Sequence, residues 1–129
     1  MSDAAGQPEQ NLPDDSGEAL AVLAARVADD RKADDIVILD VGEVLSITGY
    51  FVIASASNGR LVRSVAEEIE RAAKQEIGRS PVRVEGMREQ QWTLMDYGDV
   101  VIHVFHQETR EFYEIERLYG DVPRIDWKR

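Results

Sequence analysis

Two histidines, His103 and His106, stand three residues apart, and two aspartates, Asp96 and Asp99, flank Tyr97 and Gly98. Either pair could in principle hold a divalent metal, and paired carboxylates can divide acid and base duties. The histidines fall in Val100-Val101-Ile102-His103-Val104-Phe105-His106, a β-branched run that reads as a strand. Side chains three apart on a strand point to opposite faces, so the two imidazoles do not converge on one ion. His103 reads as a hydrogen-bonded sheet residue and His106 as the strand end leading into a helix. The aspartates have a simpler use, because Asp side chains accept from backbone N–H groups in turns. Ser55 and Ser57 lie between a strand and a helix. Backbone N–H groups there can hold an anion, and Ser and Asn there are also favoured helix caps. Trp92 follows the polar run Glu89-Gln90-Gln91; it is either a core ring or an interface anchor, since Trp and Tyr are enriched in binding hot spots. There is no cysteine, which excludes disulfides, thiolate metal sites and cysteine nucleophiles. Phosphate-binding glycine loops and the Gly-x-Ser-x-Gly elbow are missing as well. No catalytic residue, metal site or cofactor is expected, which favours a binding protein over an enzyme.

The elements that position these residues follow from periodicity. Asp15 and Glu18 resemble a capping box, and Leu20, Leu23, Ala24 and Val27 recur at helical spacing over residues 17–30. Residues 36–39 and 50–54 are short apolar runs that read as buried strands. Ser57 and Asn58 precede a helix whose stripe is Val62, Val65, Ala66, Ile69, Ala73 and Ile77, stopped by Gly78 and Pro81. Residues 82–85 alternate as a half-wet strand. Residues 92–97 and 100–105 form a β-hairpin around Gly98-Asp99. Phe112, Ile115, Leu118 and Tyr119 predict a helix over 108–119, and the tail from 121 to 129 reads as irregular. The expected fold class is α/β: a single domain with a mixed sheet of about five strands and flanking helices.

The 129 residues suit one domain. The formal net charge is −10, and residues 1–18 hold five of the 25 acids with no Lys or Arg. Residues 1–14 are expected to be a disordered acidic head, since few apolar side chains there can repay the entropy of ordering. Residues 15–129 are expected to form the α/β domain. So acidic a chain is poorly suited to nucleic-acid phosphate, so little direct nucleic-acid contact is expected. It is better suited to a basic protein partner. No apolar run reaches membrane-spanning length, and the head is expected to be neither a signal nor a transit peptide, since it has no apolar stretch and is acidic rather than Arg-rich. No membrane association and a cytoplasmic, bacterial-type location are expected.

The segment WTLMDYGDVVIHVFHQETREFYEIERLYGD from Trp92 to Asp121 resembles the signature of the ribosomal silencing factor (Iojap-type) family. Residues 35–70 and VEGMREQQW resemble the family's other blocks, so the likeness runs from about residue 18 to 126. Two positions depart from it. Gly49 stands where the family commonly has Asp, and Ala56 where a Gly-Thr-Ser-like turn is common. The resemblance implies a nucleotidyltransferase-like fold. It also implies binding to the large ribosomal subunit through ribosomal protein fourteen at the intersubunit face. Joining of the small subunit would be blocked and translation repressed, notably in stationary phase or nutrient limitation. A homodimer is implied for the free protein. By motif matching the partner-binding surface is expected to include Trp92, Asp96, Tyr97, Asp99 and Phe105. Strand parity puts Trp92 and Tyr97 on opposite faces, unless a bulge intervenes or an edge is approached from both sides. The alternative is a nucleotidyltransferase-like enzyme or nucleotide-binding relic using Asp40, Ser55 and Ser57. Gly49 weakens that reading, because nucleotidyl transfer needs carboxylates that hold metal against triphosphate.

Overall fold

Alternation and helical spacing alternate along the chain, and the elements follow them. The computed structural model describes residues 12–128. Helix α1 (Leu12–Asp30) leads into β1 (Asp34–Asp40), a single-turn helix α2 (Gly42–Leu45), β2 (Tyr50–Ala56) and helix α3 (Gly59–Ile77). Then come the short β3 (Arg83–Glu85), β4 (Trp92–Asp96), β5 (Val100–His106) and α4 (Gln107–Tyr113), followed by a 3-10 turn at Ile115–Tyr119. The strands form one five-stranded sheet in the order β1-β2-β5-β4-β3. The β2–β5 pair is parallel and the other pairs are antiparallel. This is the mixed α/β architecture expected.

Both long helices lie on one face of the sheet. Leu20, Ala21, Ala24, Ala25 and Ala28 of α1 are fully buried, a continuous apolar stripe in which the four alanines let the helix pack closely. Val62, Val65, Ala66, Ile69 and Ala73 of α3 meet them together with Val52, Met95, Ile102 and Val104 of the sheet. Asn58 caps α3, its Oδ1 accepting from Leu61 N–H at 2.9 Å, and Gly78 closes the helix at φ +67. Asn58→Ala is expected to cost about 1 kcal/mol, a fall of a few degrees in melting temperature. An unchanged melting curve would show that the cap contributes nothing.

Several boundaries differ from expectation. α1 starts at Leu12 rather than near residue 17, since proline is tolerated in a first helical turn, where its missing N–H has no intrahelical partner. The disordered head expected over 1–14 lies outside the described residues for 1–11, and 12–14 are helical. The helix expected over 108–119 breaks at Glu114, which adopts φ +50. The break brings Glu116 Oε2 to 3.0 Å from the buried Arg110 Nε, a pairing that an unbroken helix would prevent because residues six apart point to different sides of it. Phe112 and Leu118, expected in a buried stripe, are consequently 80% and 77% exposed. The tail, expected to be irregular, runs along the outer edge of β1. Asp40 N–H donates to Pro123 O, Ile125 N–H to Ile38 O and Trp127 Nε1–H to Ile36 O. That pairing covers an otherwise open sheet edge.

Candidate interface on the open face of the sheet

The second face of the sheet is only partly covered. Ile115, Tyr119 and Val122 pack over Leu39, Val41, Ile53 and Phe105 on its β1–β2 side. Towards β4 and β3, Phe51, Leu94 and Val101 remain partly exposed.

The sheet register decides which predicted residues meet here. Trp92 pairs with Phe105, Leu94 with His103, and Asp96 with Val101. Alternation therefore sets Trp92, Leu94 and Asp96 on the open face. Thr93, Met95 and Tyr97 turn towards the helices and are buried. Trp92 stacks on Phe105 at a centroid distance of 4.7 Å, and its Nε1–H donates to His103 Nδ1 at 3.1 Å. Tyr113 lies 5.1 Å from the Trp92 ring and packs edge-on against Phe112. Phe51 meets His103 edge-on at 4.9 Å. Trp92 is thus both a packing residue and a surface residue: one side rests on the core and the rest is partly exposed. Phe105 has no exposed surface and supports Trp92 from below.

The remaining predicted residues disperse. Tyr97 is 4% exposed and sits on the helix side of the sheet, as parity required without a bulge. Burial first, then the negative charge of Glu70, pushes its hydroxyl pKa up to about 12. Asp96 Oδ1 accepts from Gly98 N–H at 2.8 Å, the turn role expected for it, and Oδ2 accepts from Arg83 at 3.3 Å. Asp99 receives a two-pronged bond from Arg79 at 2.8 and 3.1 Å, which ties the end of α3 to the hairpin turn. That pairing holds the Arg79 guanidinium above its ordinary pKa. Gly49, the departure from the family pattern, lies against this turn and donates to Asp99 O at 2.8 Å.

His103 is 5% exposed, and burial lowers its pKa to about 4. His106 points the other way and caps α4, its Nδ1 accepting from Glu108 N–H at 3.3 Å. Ser55 Oγ, fully enclosed, accepts from Arg110 Nη1 at 2.6 Å. Ser57 is exposed, and Asp40 Oδ1 accepts from Gly42 N–H at 3.3 Å. Asp40 and Ser55 therefore serve the local fold. A cavity of about 710 Å³ beside Arg110 carries Asp35, Glu111, Glu114 and Glu116 against Arg110 and Arg124, a poor lining for a triphosphate.

Sequence reasoning missed Tyr113, Ile47 and Val44 as surface groups; the last two are 85% and 60% exposed. One signal was available for the first. Adjacent aromatics at 112 and 113 cannot share one helix face, because neighbours are about 100° apart around the axis.

A family model described as "Ribosomal silencing factor during starvation" matches residues 13–129. A ribosomal silencing factor of Halalkalibacterium halodurans is 37% identical over 111 residues, covering 86% of this chain and 94% of the relative. A mouse protein named for mitochondrial assembly of the ribosomal large subunit is 35% identical over 91 residues, covering 69% of this chain and 40% of its own length. The crystal structure of a Chromobacterium violaceum protein superposes with a TM-score of 0.76 at 32% identity, covering 80% of this chain and 85% of that one.

Proposed function

From the premise that this chain belongs to the ribosomal silencing factor family, we propose that it binds the large ribosomal subunit through ribosomal protein fourteen and blocks joining of the small subunit. Translation falls as a result, notably when nutrients are short. The observation that supports this most directly is the aromatic cluster on the open face. Trp92, backed by Phe105 and flanked by Tyr113, which in turn packs on Phe112, is a partly exposed apolar anchor on the sheet. Exposed apolar groups gathered in one place are the usual mark of a protein interface. The acidic balance of the chain suits a basic ribosomal protein. Asp96 and Asp99 are held by Arg83 and Arg79, so in this reading they shape the hairpin next to the interface. Tyr97 does the same from the helix side. The protein acts in the cytoplasm by occupying a surface and catalyses no reaction; when free it is a homodimer. No helix of the described residues is long and apolar enough to cross a membrane.

The test is sedimentation of the purified protein with isolated subunits, followed by light scattering of subunit joining. Binding to large but not small subunits, with reduced joining and no consumption of nucleoside triphosphate in the Mg²⁺ buffer, is expected. Equal binding to both subunits, undisturbed joining, or turnover abolished by Asp40→Ala would each overturn the proposal.

A further inference from the structure

Helix α4 has seven residues, and a helix shorter than about 12 residues is marginal in water on its own. Apolar burial does not supply the missing support. The apolar side chains of α4 are Phe112 and Tyr113, 80% and 53% exposed, and the one buried residue of the helix is Arg110. Its guanidinium turns into the fold and makes two directed bonds. Nη1 donates to Ser55 Oγ of β2 at 2.6 Å, and Nε donates to Glu116 Oε2 in the 3-10 turn at 3.0 Å. The other side-chain ties from α4 lie at the surface and in its first turn: Gln107 Nε2 donates to Asp34 Oδ2 at 3.0 Å, and Thr109 Oγ1 to Gln91 Oε1 at 3.1 Å.

A buried ion pair adds little to stability, because removing both charges from water offsets their attraction; its best-attested use is to fix one arrangement. A planar guanidinium bonded through two of its nitrogens admits a narrow range of orientations. Here one bond reaches the sheet and the other reaches the chain beyond the break at Glu114. Together they set the rotation of α4 about its axis. Tyr113 follows Arg110 by three residues and so lies on a neighbouring position of the helix surface. The same rotation places the Tyr113 ring 5.1 Å from Trp92, with Phe112 packed edge-on against Tyr113 and open to solvent.

We propose that Arg110 is a positioning residue for the partner-binding surface: through Ser55 and Glu116 it holds α4 so that Tyr113 and Phe112 stand beside Trp92 before the partner arrives. The inference rests on the ribosome-binding reading and extends it by assigning an enclosed residue that acts through the aromatic rings. With α4 fixed in advance, binding does not have to order those rings.

The experiment compares affinity for isolated large subunits, thermal melting, and acrylamide quenching of Trp92 fluorescence. Trp127 is the other tryptophan of the chain, so for quenching the parent and every variant carry Trp127→Phe. The double variant Arg110→Met/Glu116→Gln keeps an unbranched side chain at 110 and leaves no buried charge alone. It is expected to melt within a few degrees of the parent. It should nevertheless bind about 5- to 30-fold more weakly, because the partner must now order α4 and both rings. Quenching of Trp92 should rise as Tyr113 leaves its ring. Arg110→Lys keeps the charge without the two-pronged fork. It should fall between parent and double variant in affinity and in quenching, and it carries the comparison where the double variant does not fold. Folded variants that bind and quench like a binding-competent parent would overturn the assignment alone. So would a loss of affinity that follows the melting temperature while quenching stays unchanged, since Arg110 would then serve stability only. A parent that does not bind large subunits would remove the proposed function and the interface role of Arg110 together.

Discussion

Replacing Trp92 by alanine is expected to weaken binding to isolated large subunits by roughly 30- to 1000-fold, the 2–4 kcal/mol of an aromatic hot spot. The same change has a second effect that must be separated from the first. The ring stacks on Phe105 and donates to His103. Its loss therefore opens space above Phe105 and leaves His103 Nδ1 without its donor. Full truncation of a core Trp costs about 3–5 kcal/mol. Because Trp92 is only partly buried, the stability cost should fall below that range, at about 2 kcal/mol. The variant should stay folded at low temperature while melting several degrees below the parent. Trp92→Phe makes the control: it keeps a ring on Phe105 and loses only the indole N–H. Affinity is measured well below both melting transitions. A folded Trp92→Ala variant with parental affinity would place the interface elsewhere, and a variant unfolded even in the cold would show that the residue is purely core.

Acidification is expected to destabilise the protein through His103. Its folded-state pKa lies near 4, against 6.5 for an unperturbed imidazole, because burial penalises the charged ring. Above pH 6.5 the ring is neutral in both states and titration contributes nothing to the balance. Between pH 6.5 and 4 the unfolded chain takes up a proton that the folded one refuses, so stability falls as pH falls. The slope approaches 1.4 kcal/mol per pH unit, and the loss by pH 4 totals roughly 3 kcal/mol. Glu68 acts in the same direction, its pKa lowered by hydrogen bonds from Arg71 and Arg31, but it lies at the surface, where solvent screens both pairs. Urea denaturation at pH 7 and pH 5, for the parent and for His103→Asn, isolates the histidine. The parent should lose stability that the variant does not. Parallel losses in the two proteins would mean that His103 titrates at an ordinary pKa.

What the chain encodes locally was legible in the order of its residues. Spacing of three and four in residues 20–28 and 62–73 dictates an apolar helix face whatever lies opposite, because that period is set by the backbone alone. The α3 cap at Asn58, the stop at Gly78 and the hairpin around Gly98 are likewise local, each needing one side chain or one φ angle. Even the separation of His103 from His106, and of Trp92 from Tyr97, follows from strand alternation. The tertiary structure decided what those faces meet. Nothing in residues 50–56 says that they lie parallel to residues 100–106 rather than beside another strand. No local signal breaks the last helix at Glu114, where the deciding partner is a buried guanidinium that also holds Ser55, 55 residues away. The tail's pairing with β1 is of the same kind. Periodicity records which side of an element avoids water; which element covers that side depends on contacts between residues far apart in sequence, and those form only when the whole chain has folded.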